Sequence, residues 1–159
     1  MKKMELNQKQ QSMLKDLRSQ ERICVEKYAK YASAAQDRQL QELFRHIGES
    51  ESRHLQTLDR MAAGQAGGGQ GQQSQGQQGQ PWRPSAPSTT QPNSQQWQND
   101  SYLCSDALAT EKHVSSEYNT GVFEFADQAA RQTLNHIQKE EQEHGELIYN
   151  YMSGHGMYS

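Results

Sequence analysis

Residues 37–61 read DRQLQELFRHIGESESRHLQTLDRM, and residues 127–152 read DQAARQTLNHIQKEEQEHGELIYNYM. In the first, Leu40, Phe44, Ile47, Glu51, His54, Leu58 and Met61 fall at alternating steps of four and three, the spacing of one buried helical stripe. In the second, Ala130, Leu134, Ile137, Glu141, His144, Ile148 and Tyr151 repeat that pattern, with Glu141 and His144 ninety positions after Glu51 and His54. Each stripe puts a Glu-x-x-His inside a row that is otherwise largely apolar. A carboxylate left unpaired there is costly, so the pattern implies a partner for it.

Two more stripes carry one acid each. Leu14, Leu17, Glu21, Cys24, Tyr28 and Tyr31 form one, and Cys104, Ala107, Glu111, Val114 and Tyr118 form the other, so a Glu-x6-Tyr also occurs twice, ninety residues apart. The periodicity predicts four helices: about Asn7 to Ala34, one opened by Asp37, about Ser101 to Phe125 with Asp100 or Ser101 as cap, and one opened by Asp127 and closed by Gly154 and Gly156. Glu21 and Glu51 are equidistant from a turn at Gln36, as Glu111 and Glu141 are from a turn at Ala126. Antiparallel helices then bring each Glu pair to one level, with His54 or His144 one turn further along the same face. The expected fold is all-α, a four-helix bundle of two helical hairpins, residues 5–63 and 101–159.

Between the hairpins, residues 64–100 hold all four prolines, seven of the twelve glycines and long glutamine runs, with only Ala66, Trp82, Ala86 and Trp97 as apolar members. Such a stretch cannot bury enough surface to offset its chain entropy and is expected to be disordered. A pseudo-twofold docking of the hairpins requires this linker to return along the bundle, about 36 Å for 24 helical residues. A flexible chain of 37 residues spans about 33 Å, so its length allows a crossover and equally allows an up-down order. Trp82 and Trp97, apolar in a disordered tract, read as adhesive points for partner proteins.

Charge and composition exclude several classes. A net charge of -3 and no basic stripe argue against nucleic acid. The first residues, MKKMELNQKQQ, lack an apolar core behind the lysines, and no run approaches a membrane span, so synthesis in a cytoplasm without membrane insertion is expected. Cys24 and Cys104 lie in no CxxC pair and read as small buried hydrophobes. His46 and His136 stand beside their stripes and read as boundary histidines. Glu49, Glu117, Glu140 and Glu143 read as solvated faces, with Glu140 and Glu143, which bracket the site, as the first candidates for an exception.

One Glu from each of two helices with a Glu-x-x-His from each of the other two resembles the dinuclear carboxylate site of ferritin-like bundles. The resemblance implies that Glu51 and Glu141 bridge two divalent ions, that Glu21 and Glu111 bind terminally, and that His54 and His144 complete one ion each. Tyr28 and Tyr118 would then be hydrogen-bond partners beside the metals. Four carboxylates and two neutral imidazoles suit iron or manganese better than zinc.

A narrower likeness runs from Leu103 to Tyr158, where EKHVSSEYNT, TLNHIQKEEQEHGELIYNYM and the closing GHGMY resemble the Coat F domain of spore coat proteins from endospore-forming bacteria. It implies a spore coat protein, made in the mother-cell cytoplasm, with other coat proteins as partners; whether the chain also forms a homo-oligomer is left open. The alternative is an enzyme, a di-iron or di-manganese oxidoreductase acting on peroxide, dioxygen or ferrous iron. The absence of a CxxC donor site disfavours rubrerythrin-like turnover and leaves a catalase-like reaction open.

Overall fold

The computed structural model describes residues 4–65 and 81–158. Among these residues the chain is all-α, with four helices: α1 Gln8–Ala34, α2 Arg38–Ala62, α3 Gln95–Val122 and α4 Gln128–Gly154. Asn7 opens α1 with a capping box, its side chain accepting from Gln10 N at 2.8 Å while the Gln10 side chain accepts from Asn7 N at 3.0 Å. Asp37 and Asp127 cap α2 and α4 as their positions before the periodic stripes suggest. Gly64 and Gly156, at φ 90° and 70°, turn the chain past the ends of α2 and α4, where a side chain would be strained.

The apolar stripes meet in one core that includes Leu17, Phe44, Ile47, Leu58, Leu134 and Ile148, all buried. Burial of each such side chain contributes about 1.5–3 kcal/mol, so packing rather than local propensity holds the helices. Helix α1 pairs with α2 and α3 with α4, giving the two hairpins. Tyr28 meets Glu111 while Glu21 meets Tyr118, so α1 and α3 are antiparallel. Asp37 meets Tyr151 while His54 meets Glu140, so α2 and α4 are antiparallel too. Helix α3 is therefore parallel to α2, and the connection between them crosses the length of the bundle. Linker length had allowed two orders; the pairing of these helices gives the crossover.

The expectation of disorder over 64–100 divides into parts. Residues 66–80 lie outside the described residues. Residues 81–94 are not free: Trp82 stacks on His46 at 4.0 Å and 6°, and Ser85 N and Ala86 N each donate to Glu42 at 2.9 Å. Thr89 N donates to Asp37 at 2.7 Å. Specific hydrogen bonds along α2 thus hold a segment whose composition alone argues for disorder.

The third helix also begins earlier than expected, at Gln95 rather than Ser101. Asn93 turns the chain at φ 63°, and Ser94 caps α3 by accepting from Trp97 N at 3.1 Å. Asp100, expected as that cap, instead lies buried inside α3. Its carboxylate accepts from Gln36 N at 2.8 Å and Asp37 N at 2.9 Å, tying the start of α3 to the α1–α2 turn. Trp97 donates to His155 O at 2.7 Å, so both tryptophans have intramolecular partners.

Candidate metal centre

Glu21, Glu51, His54, Glu111, Glu141 and His144 are all buried, and all four helices contribute to the place where they meet. They form two groups, Glu21, Glu51, His54 and Glu141, then Glu51, Glu111, Glu141 and His144, the donor atoms within each lying within 4.8 Å of one another. Glu51 and Glu141 belong to both, and each group keeps its own Glu and His. The hairpin geometry explains this: both turns set one Glu pair level, and the twofold relation brings the pairs face to face.

The imidazoles present Nδ1 to the centre. His54 Nδ1 lies 2.9 Å from Glu51 and 3.7 Å from Glu21 and Glu141. His144 Nδ1 lies 3.1 Å from Glu141, 3.6 Å from Glu111 and 3.7 Å from Glu51. The rings of His54 and His144 stack with centroids 5.9 Å apart. Tyr28 donates to Glu111 at 2.5 Å and Tyr118 to Glu21 at 2.5 Å, each reaching across to the opposite hairpin.

So much buried acid changes its own protonation. Burial pushes the Glu141 carboxyl well above the ordinary range, and the charges of Glu51, Glu21 and Glu111 push it further. Glu21 is pushed up to about 7 by burial and by Glu51, and burial raises Glu111 as well. Glu51 goes the other way: burial raises it, but the two imidazoles beside it win and hold it well below the usual carboxylate range. Burial would lower both histidines, yet the surrounding carboxylates raise His54 well above its usual value and His144 to about 10. Protons thus do part of the work of compensating the acids.

They do not complete it. Glu21 Oε1, Glu51 Oε2, Glu111 Oε1, both oxygens of Glu141 and His144 Nδ1 are buried without a hydrogen-bond partner, and among the described residues only Thr90 Oγ1 shares that condition. Native interiors leave few such atoms. Here they gather in the two overlapping groups, and every one is a metal donor, so the residues are of a kind that could hold divalent cations.

Other residues fall as follows. Cys24 and Cys104 are buried and free. His46 stacks on Trp82, and His136 Nε2 lies 3.3 Å from Glu140. Glu140, grouped with the solvated faces but a candidate exception among them, is half-buried and receives His54 Nε2 at 2.7 Å. Its position beside Glu141 was the only sequence signal for this, since the partner lies on another helix.

Most of the second hairpin has a counterpart in sequence. Residues 99–159 match the Coat F domain. The Coat F region takes in most of α3 and all of α4, and so carries Glu111, Glu141, His144 and Tyr118. It covers less than half of the chain and leaves α1 and α2 outside. No curated protein and no solved structure matches.

Proposed function

We propose that this chain is a spore coat protein whose ferritin-like bundle holds two divalent metal ions. The Coat F match supports the first half of that reading, and the convergence of buried, unpartnered donor atoms supports the second. Glu51 and Glu141 would bridge the ions, Glu21 and His54 would complete one, and Glu111 and His144 the other. Iron or manganese suits this mixed carboxylate and imidazole set better than zinc. Tyr28 and Tyr118 fix Glu111 and Glu21 by hydrogen bonds, and the apolar rows on either side keep bulk water away from all six donors. Other coat proteins are the partners this reading implies, with the spore coat as destination after synthesis in the mother-cell cytoplasm. No helix among the described residues is long and apolar enough to cross a membrane.

The test is metal analysis of purified protein beside a Glu51→Ala, Glu141→Ala double variant. Wild type is expected to carry iron or manganese that the variant lacks. Equal content in both would remove the metal reading and leave the coat reading, which detection of the protein in spore coat extracts tests separately.

A second reading, an oxidoreductase acting on peroxide, dioxygen or ferrous iron, would rest on the same buried carboxylate and imidazole donors. Two bound ions would supply Lewis-acid or redox chemistry to a small oxygen species. Peroxide consumption by metal-loaded protein, absent from the double variant, is the outcome this reading requires.

A further inference from the structure

The six converging residues obey the ninety-residue repeat, but what stands behind the two imidazoles does not. His54 turns Nδ1 toward Glu51 and sets Nε2 2.7 Å from Glu140 Oε1, while His136 Nε2 lies 3.3 Å from the other oxygen of Glu140. The position ninety residues before Glu140 is Ser50, buried and carrying no carboxylate. His144 makes its contacts with Glu51, Glu111 and Glu141 through Nδ1. Among the described residues no carboxylate lies within ion-pair distance of its Nε2.

A neutral imidazole has one N–H and one lone pair. A carboxylate acceptor at Nε2 keeps the proton on that nitrogen, so the lone pair of His54 Nδ1 is aimed at Glu21, Glu51 and Glu141, and the ring becomes a stronger donor. Among the described residues no carboxylate orients His144 in this way. We propose that Glu140 is a positioning residue that makes the two cation positions unequal, the one built on His54 binding more tightly and filling first. This rests on the metal reading above and adds an order of loading to it.

The experiment is calorimetric titration of the metal-free, full-length chain with zinc(II), a redox-inert probe. Wild type should take up zinc in two steps, and Glu140→Ala should weaken the tighter one about 10–100-fold while sparing the other. Glu140→Gln, whose carbonyl still accepts from Nε2, should lose less. In a His54→Ala background, Glu140→Ala should change nothing, because the ring it orients is gone. Circular dichroism verifies that each variant is folded. Two steps unaltered by Glu140→Ala, or an equal weakening in the His54→Ala background, would overturn the inference and leave the metal reading standing. A wild type that takes up no zinc, iron or manganese would overturn both.

Discussion

Tyr118 Oη donates to Glu21 Oε2 at 2.5 Å, a bond that runs from the second hairpin into the first. Its twin from Tyr28 to Glu111 runs the opposite way, so each hairpin holds one acid of the other in place. Phe at position 118 would keep the ring packing and remove only the donor. Tyr118→Phe is therefore expected to destabilise the metal-free protein by about 1–3 kcal/mol, the cost of a buried polar group left without its partner. Urea unfolding should show a lower midpoint at unchanged slope. An unchanged midpoint would mean that the bond contributes nothing to joining the hairpins.

Protonation gives the metal-free protein an unusual pH dependence. Glu21 moves from 4.5 to about 7 on folding and His144 from 6.5 to about 10, with Glu141, Glu111 and His54 raised as well. A group whose folded pKa is raised stabilises the fold below its unfolded pKa and loses that contribution as pH climbs through the folded one. His46 opposes this, since burial lowers it to about 4, but its contribution is complete above 6.5. Chelator-treated protein should thus lose stability steadily between about pH 6.5 and 9. Binding cations requires those same protons to leave, so metal affinity should rise over this interval with measurable proton release, and loaded protein should not show the decline. Thermal unfolding with and without metal at several pH values checks both; a flat metal-free profile would contradict the protonated centre.

Trp82 anchors the returning chain by stacking on His46, and burial holds that imidazole at about 4. Trp82→Ala should expose the ring and let its pKa climb toward the ordinary 6.5, read by NMR titration of the histidines. Protease nicking within 81–94 should quicken in the same variant, because one of the contacts holding that segment is gone. A His46 titration identical in both proteins would show that the indole does not shield it.

Local period made most of this bundle legible. Glu51 and His54, four steps from Ile47 and Leu58 respectively, could be placed on an inner face without knowing any other helix, and the mirrored Glu141 and His144 showed how the hairpins would meet. What lay between elements was not legible. Asp100 looks like a helix cap in sequence and instead caps the turn before α2, while Ser94 takes the cap of α3. Neither Glu140's hold on His54 nor Trp82's stack on His46 has a local signature, because each joins residues far apart in the chain. The direction of the linker depended likewise on which helices paired.

Asp37 shows how far the clasp at the far end is separable from the centre. It caps α2, accepts the Tyr151 hydroxyl at 2.5 Å, and receives Thr89 N at 2.7 Å and Ser88 Oγ at 3.0 Å. Burial tends to raise its carboxyl, but these donors outweigh burial and hold it below the usual value, so its contribution is lost only as acid protonates it. Asp37→Ala would remove the cap and leave the Tyr151 hydroxyl buried without an acceptor, at a combined cost of about 2–4 kcal/mol. Fourteen helical steps lead from Asp37 to Glu51, roughly 21 Å, too far for direct contact with the donors. Metal content per folded molecule should therefore stay at the wild-type level while the unfolding midpoint falls. Loss of metal from a variant still folded by circular dichroism would show instead that the clasp sets the spacing of the helices at the centre.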